Sequence, residues 1–364
     1  MKLGMFMMPC HDPRRDVHTV LLEDVGQAVL ADRLGYDELW VGEHYSAPSE
    51  PVTDPFTFLA NLIARTSRMK LCTGVINLPQ QHPAVVAAHA ALLDHLSEGR
   101  MMFGVSSGGL PSDFELFKLT DPRTRGEMLH EAADMIVKIW SQDGPYDIKG
   151  KYWDVTLKDF VVPELGIGTI LKPYQKPHPP MAVSAVSPFS YSVKHAGKKG
   201  WNFISAHFCT RANIKSHWEA YRQGCEESKR TPDPAAWRVA RVIHVDRDAG
   251  AARAFVDDPD GPVRFFWSYL LGVLDRSKML PLLKADPAMP DSGVDVDYAI
   301  REFTVVGDPR SVADQVKGLR EEVGDFRMIV QLALELIRRT EIEASMRLLA
   351  EEVMPLVQDQ QPSG

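Results

Sequence analysis

The chain has 364 residues, a net charge of −8 and 45% hydrophobic residues, so it can bury a large core. An acidic chain without basic runs does not favour nucleic-acid binding, and no stretch approaches the roughly 18 consecutive apolar residues of a membrane helix. The N-terminus lacks the features of a secretory signal, and the four cysteines have no C-x-x-C spacing. We therefore expect a cytoplasmic protein with free thiols that binds neither nucleic acid nor a membrane.

The first half of the chain alternates short apolar runs with helix-length amphipathic segments. Four runs have the length and flanks of buried parallel strands: Lys2–Met8, Glu38–Val41, Lys70–Ile76 and Arg100–Val105. Four segments with helical spacing follow them: His18–Leu34, Pro55–Arg65, Ala84–Leu96 and Thr124–Trp140. This order is typical of repeated strand–helix units with a parallel sheet.

The second half repeats the pattern. Four further strands are predicted, at Met181–Ser184, Asn202–Ser205, Trp237–Val245 and Phe326–Leu332. Helices are predicted to follow them, at Ser187–Lys199, Arg211–Glu227, Arg310–Val323 and Glu341–Val357.

Eight such units predict one α/β domain over residues 1–357, a (β/α)8 TIM barrel with insertions after strands 4 and 7, at about 143–180 and 248–300. Residues 358–364 are expected to be a disordered tail. An open doubly wound sheet is the alternative, but the glycines after the fourth strand do not form a G-x-G-x-x-G that opens a helix.

Candidate catalytic residues follow the second predicted strand directly. Glu43 and His44 lie at its carboxyl end, the end at which barrels carry their active sites. A histidine there can exchange a proton near neutral pH, although a lone histidine is often structural. The other strand ends supply hydroxyls and glycines but no carboxylate pair and no metal-ligand cluster. Such a site indicates that a cofactor supplies the reactivity.

An anion site is predicted where Ser187-Pro188-Phe189-Ser190-Tyr191-Ser192 opens the fifth helix. Free N–H groups and the helix dipole favour a phosphate at such a position, although Ser187 alone is equally consistent with a plain N-cap. Arg123 and Arg125 are candidates to reach the same anion, with solvated surface charges as the alternative.

Several long blocks resemble one family, the bacterial luciferase-like flavin-dependent monooxygenases. They are KLGMFMMP, LGYDELWVGEHY, CTGVINLPQQHPAVVAAHAALLDHLSEGRMMFGVSSGG with DFELF after it, MAVSAVSPFSYSVKHAGKKGW and VVGDPRSVADQVKGL. HDPRRD and EHYSAP are most similar to the limonene monooxygenase-like branch. The resemblance implies a TIM barrel, a homodimer that pairs early barrel helices, and reduced FMN delivered by a separate NAD(P)H:flavin reductase.

The resemblance also assigns expected roles to residues of the barrel mouth. His44 matches the active-site histidine of the family, and Glu43 is expected to orient it. Gly74 and Val75 match a non-proline cis peptide beneath the flavin ring. Ser106 matches a position that lines the reactive face of the flavin, where luciferase has a cysteine.

Other matches concern the phosphate of FMN. Arg125 matches a phosphate-binding arginine, and Ser187, Ser190 and Ser192 match the phosphate-binding turn, with either Ser190 or Ser192 as the contact.

The implied reaction combines reduced FMN with O2 at C4a to give a hydroperoxyflavin, which oxygenates a small, mostly apolar organic substrate. The type of oxygenation is left open. Phe265-Phe266-Trp267-Tyr269 is expected either to cover the pocket or to belong to the core. One alternative is an F420-dependent oxidoreductase of the same superfamily. Another is a non-catalytic flavin-binding protein, which the presence of His44 disfavours.

Overall fold

The computed structural model describes residues 1–358, in which eight parallel strands close into a barrel. In barrel order the strands are β1 (Lys2–Met7), β2 (Glu38–Val41), β3 (Lys70–Thr73), β5 (Met101–Ser106), β8 (Met181–Ala185), β9 (Asn202–Ser205), β10 (Trp237–Val245) and β12 (Met328–Leu332). The last strand pairs with the first, with Lys2 opposite Met328, so the eight strands close into a complete barrel.

Helices surround the barrel. The outer ring consists of α1 (Val17–Arg33), α2 (Pro55–Leu62), α3 (Pro83–Leu96), α5 (Pro122–Ser141), α6 (Tyr191–Lys199), α7 (Arg211–Glu227), α11 (Pro309–Val323) and α12 (Arg339–Leu348). Several begin at an aspartate cap followed by proline, as at Asp54 and Asp308, whose carboxylates accept from first-turn N–H groups. Residues 349–353 continue α12 as a π-helical turn into α13 (Met354–Val357).

The remaining elements lie in the connections. They are β4 (Ile76–Asn77), α4 (Pro111–Leu116), the hairpin β6 (Tyr146–Lys149) and β7 (Asp154–Leu157), α8 (Ala249–Asp257), α9 (Pro262–Arg276), α10 (Val296–Phe303) and β11 (Thr304–Gly307), which pairs with β10 outside the barrel.

Side chains fill the inside of the barrel below its mouth. Near the amino ends of the strands, Arg238 and Glu38 form a buried ion pair at 2.7 Å, and Arg238 also donates to Asn202. Above them lies an apolar cluster that includes Trp40, Cys72 and Met102. The interior is therefore closed from below, and the free space for chemistry lies at the carboxyl ends of the strands.

The TIM barrel prediction is confirmed, and most strands and helices agree with the sequence pattern within a few residues. The prediction of one continuous strand over Lys70–Ile76 was wrong. The strand ends at Thr73 and pairing resumes at Ile76, and the Gly74–Val75 peptide bond between them is cis. The short elements α4, α10 and β11 were not predicted, because each lies inside a segment that the pattern marked only as a connection. The helix predicted from Ser187 begins at Tyr191.

Of the predicted tail, residues 359–364 lie outside the described part of the chain. All four cysteines are buried and unpaired. Within residues 1–358, no helix combines the length and the hydropathy needed to cross a membrane.

Candidate active site

His44 lies at the barrel mouth between two carboxylates. Its Nδ1 is 3.5 Å from Asp113 Oδ2, and its Nε2 is 3.7 Å from Glu50 Oε2. Both carboxylates are buried, whereas 12% of the His44 side chain remains exposed. The prediction that the mouth has no carboxylate pair was therefore wrong, because α4 and the loop after β2 each bring one to the histidine.

Asp113 is the more firmly held of the two carboxylates. It accepts hydrogen bonds from the backbone N–H groups of Tyr45 at 3.2 Å and Ser46 at 2.9 Å, and from the Ser46 hydroxyl. Burial opposes ionisation, but hydrogen bonds from His44 and Ser46 hold the pKa of Asp113 below its usual value. Asp113 is therefore an ionised anchor for the imidazole ring.

Glu50 has the opposite electrostatic environment. Burial raises the pKa of Glu50, and the nearby His44 and the Tyr269 hydroxyl, which donates to Oε2 at 2.7 Å, offset this only in part. For His44 itself, burial lowers the pKa, but Asp113 and Glu50 favour the imidazolium, so the net pKa is raised. The site therefore holds a histidine that keeps its proton to higher pH than usual.

Glu43 does not hold His44 in this arrangement. Its buried carboxylate accepts from Gln81 Nε2 at 3.2 Å, and Gln81 also donates to the Tyr45 hydroxyl. Burial raises the pKa of Glu43 to about 8. The predicted orienting contact is therefore wrong, since Asp113 and Glu50 occupy both sides of the ring. A direct catalytic role for Glu43 stays a prediction.

Gly74 and Gly104, near the carboxyl ends of β3 and β5, are packed closely against neighbouring strands. A Cβ at Gly74 would lie 2.8 Å from Trp40 Cβ, and one at Gly104 would lie 2.1 Å from the Thr73 carbonyl oxygen, so neither position has room for a side chain. The Gly74–Val75 peptide bond is cis, as the resemblance implied. Ser106, at the end of β5, is partly exposed at the same mouth.

Polar contacts with two residues of α7 hold the turn that precedes α6. The N–H of Phe189, which has φ of 49°, donates to Ser216 Oγ at 3.0 Å, and His217 Nε2 lies 3.0 Å from the Ser187 carbonyl oxygen. Ser190 caps the helix by accepting from the N–H of Val193, so the interpretation of Ser187 as the N-cap was wrong. Sequence reasoning missed Ser216 and His217, since neither belongs to a recognisable motif.

This turn is able to bind an anion. The N–H groups of Tyr191 and Ser192 belong to the first turn of α6 and have no partner within the helix. The hydroxyls of Ser187, Ser190 and Ser192 surround the same turn, and Ser187 is exposed. Orphan N–H groups at a helix start are suited to phosphate.

Arg125 is buried in the first turn of α5 rather than on the surface. Its Nη1 donates to the carbonyl oxygens of Leu119 at 2.6 Å and Thr120 at 3.0 Å, and its guanidinium lies 3.5 Å from the ring centroid of Phe114. Its Nε has no hydrogen-bond partner among the described residues. Arg123 is exposed and pairs with Glu127, as expected of a surface charge. Phosphate binding by Arg125 stays a prediction.

Helix α9 contacts His207 and Glu50, two buried residues that follow barrel strands. The rings of Phe266 and Trp267 lie 5.3 and 6.1 Å from that of His207, which burial keeps neutral by lowering its pKa to about 3. Phe266 and Trp267 belong to the core, whereas Tyr269 reaches Glu50. That this segment covers the pocket stays a prediction. Within residues 1–358, no three His, Cys, Asp or Glu side chains are grouped so as to hold a metal ion.

Sequence comparison places the chain among known proteins. The profile of the family described as luciferase-like monooxygenase matches residues 1–325. The chain is 32% identical to the 4-hydroxyprotoasukamycin monooxygenase of Streptomyces nodosus subsp. asukaensis over 97% of this chain and 91% of that protein. It is also 32% identical to the limonene 1,2-monooxygenase of Rhodococcus erythropolis, over 97% and 85%.

Structural comparison gives the same fold. The oxygenating constituent of 3,6-diketocamphane monooxygenase from Pseudomonas putida, a type II Baeyer-Villiger monooxygenase solved with FMN, superposes with a TM-score of 0.88 at 24% identity over 99% of each chain. The F420-dependent tetrahydromethanopterin reductase of Methanopyrus kandleri superposes with a TM-score of 0.69 at 19% identity, over 98% of this chain and 99% of that one. The barrel is thus shared by flavin and deazaflavin proteins.

Proposed function

Because the chain belongs to the luciferase-like monooxygenases, whose profile spans residues 1–325, we propose that it is the oxygenase component of a two-component, cytoplasmic flavin monooxygenase. It takes reduced FMN from a separate NAD(P)H:flavin reductase, consumes O2 and oxygenates a small, mostly apolar organic substrate. The observation that carries this proposal is His44, which lies at the barrel mouth between the buried carboxylates of Asp113 and Glu50.

The residues of this chain fit FMN best at the phosphate end. At the mouth, Ser106 at the end of β5 is partly exposed and available to the ring. The first turn of α6 offers unpartnered N–H groups and serine hydroxyls to the phosphate, and the orphaned Arg125 Nε is a further donor. When bound in the reduced form, FMN supplies the electrons that activate O2.

The protein contributes proton handling, orientation and the exclusion of water. His44 Nδ1 lies 3.5 Å from Asp113 Oδ2, and 12% of the His44 side chain is exposed at the mouth. It is thereby placed to donate or accept a proton during oxygenation. Phe6 and Met8 lie partly exposed at the end of β1, so the mouth favours an apolar substrate.

Reduced F420 is the competing cofactor, because the barrel also resembles an F420-dependent reductase. Anaerobic titration of the protein with reduced FMN and, separately, with reduced F420 distinguishes the two. We expect saturable binding of FMN and rapid O2 uptake by that complex. Binding of F420 alone would assign the protein to the reductases, and binding of FMN without accelerated O2 uptake would indicate a non-catalytic flavin carrier.

We also propose a homodimer through the early helices. Helix α3 exposes Val85, Leu92 and Leu96 on one face, an apolar stripe at helical spacing. Sedimentation of the wild type is expected to give twice the chain mass. The Leu92→Glu variant is expected to sediment as a monomer, and an unchanged dimer in that variant would exclude this face.

A further inference from the structure

We propose that Glu50 is the proton partner of His44 and that Tyr269, on α9, positions it. Both act through His44 and are positioning residues. This inference rests on the proposed function, because it assigns a proton route within the same site. It connects a residue of the 248–300 insertion to the histidine at the mouth.

The geometry places one oxygen between two partners. Glu50 Oε2 lies 3.7 Å from His44 Nε2 and accepts a hydrogen bond from the Tyr269 hydroxyl at 2.7 Å. The loop that carries Glu50 is fixed to the barrel, since the N–H of His11 donates to the Ser49 carbonyl at 2.7 Å and the N–H of His44 donates to the Val52 carbonyl at 3.1 Å. Glu50 therefore has a defined position, and Tyr269 determines which oxygen faces the imidazole.

The two carboxylates beside His44 differ in their capacity to take a proton. Asp113 already accepts from two backbone N–H groups and the Ser46 hydroxyl, which together with His44 stabilise its charge. Glu50 has Tyr269 as its one hydrogen-bond donor among the described residues, so it retains free lone pairs. Glu50 is therefore the better acceptor for a proton leaving the ring.

Besides Tyr269 of α9, titratable groups face Glu50 from three neighbouring segments. His44 lies in the same loop, Asp113 comes from α4, and Cys10 and His11 come from the loop after β1. His44 and His11 favour the charged carboxylate, whereas Asp113 and burial favour the neutral acid. The balance between these opposing effects makes Glu50 sensitive to the protonation of His44.

The step is a proton transfer that needs no other reactant. The Nε2–H bond of the His44 imidazolium breaks, and an O–H bond forms at Glu50 Oε2. The products are a neutral imidazole and a neutral carboxylic acid, so the net charge of the site is unchanged. Tyr269 keeps its donor bond throughout, and the reverse step reprotonates His44.

The first test uses the cofactor-free protein. The Cε1–H NMR signal of His44, assigned by its loss in His44→Asn, is followed against pH. We expect two coupled steps in the wild type. In Glu50→Gln we expect a single step, with the last deprotonation displaced downward by about one pH unit because a neighbouring negative charge is gone.

Tyr269→Phe is the milder variant and does not remove a charge. Loss of the phenol donor raises the pKa of Glu50, so we expect both steps to remain and the Glu50-linked step to move upward. Tyr36→Phe is the matched control, because it removes another buried phenol bond, to Gln331 Oε1 at 2.6 Å. The His44 curve should be unchanged in that control.

Identical His44 curves in the wild type, Glu50→Gln and Tyr269→Phe would overturn the inference. A second readout is the pH–rate profile of O2 consumption with reduced FMN. We expect Glu50→Gln to remove one limb of that profile. We also expect this variant to have a lower kcat with a smaller change in KM. If the wild type consumed no O2 with reduced FMN, the proposed function would fail, whereas the NMR titration would still decide the role of Glu50.

Discussion

Two histidines near the barrel mouth have the same immediate surroundings but differ in enclosure. His11 lies between Asp24, 3.2 Å from Nε2, and Glu335, 3.5 Å from Nδ1, and only 1% of its side chain is exposed. His44 lies between Asp113 and Glu50 at similar distances, but 12% of its side chain faces the mouth. The arrangement of a histidine between two carboxylates therefore occurs twice, once fully buried at His11 and once partly exposed at His44.

The carboxylates that flank the two histidines belong to different parts of the fold, which explains why the two sites have different roles. The carboxylates of His11 belong to α1 and to the loop after β12, and Arg15 also bonds Glu335 at 3.0 Å, so the cluster joins three elements. The carboxylates of His44 belong to the short helix α4 and to the loop after β2, and the second of them is bound by Tyr269 of α9. A histidine between two carboxylates thus stabilises the fold where it is enclosed and is available for chemistry where it is open.

The largest expected effect is the loss of oxygenation activity when His44 is replaced. His44→Ala should still bind reduced FMN within a few-fold of the wild type, because the phosphate turn before α6 is untouched. Oxygenation should fall by about 100-fold or more, the usual contribution of a positioned acid or base. Binding is measured by anaerobic titration and activity by product formation. Full activity in this variant would remove His44 from the mechanism.

The next largest effect is expected on the free energy of unfolding when His11 is replaced. His11→Leu leaves Asp24 and Glu335 buried without their shared cation, which should lower the free energy of unfolding by about 3 to 5 kcal/mol. Urea denaturation of the variant measures this loss. The exposed His18 of α1 provides the matched control, and His18→Leu should change stability by less than about 0.5 kcal/mol. Equal stabilities of the two variants would refute a structural role for His11.

The pH dependence of stability sharpens the same comparison. Burial lowers the pKa of His11, but Asp24 and Glu335 more than compensate and raise the pKa to about 9. Because the unfolded value is about 6.5, the protonated ring stabilises the fold fully below that pH, and the contribution is lost as pH rises toward 9. The loss should reach at most about 3 kcal/mol. Urea midpoints measured across this pH range give the difference in unfolding free energy between the wild type and His11→Leu. That difference should shrink as pH rises. A difference that stays constant would contradict a raised pKa for His11.

The smallest effect concerns the phosphate turn. Ser190→Ala removes the cap of α6, a loss of about 1 kcal/mol in stability, and should weaken FMN binding by about five- to tenfold if Ser190 also contacts the phosphate. Ser192→Ala is the comparison, and the larger loss identifies the contact. Riboflavin, which lacks the phosphate, should bind both variants as it binds the wild type. Equal losses for riboflavin and FMN would show that the serines act on helix stability alone.

The sequence allowed the barrel and the position of His44 to be predicted because both follow from local patterns, namely strand periodicity and the residue directly after a strand. The partners of His44 were not predictable in this way. Asp113 lies on a one-turn helix inside a connection, and Tyr269 meets Glu50 across 219 residues of chain. The start of α6 depends on the left-handed Phe189, which the Ser-Pro pattern did not indicate.

The most direct test of the central claim is rapid mixing of the protein–reduced FMN complex with O2, followed by the flavin spectrum. We predict reaction with O2 through a transient absorbance that differs from both reduced and oxidised FMN and that lives longer than in free solution. Reoxidation at the rate and with the spectrum of free FMN would contradict a monooxygenase site at this barrel mouth.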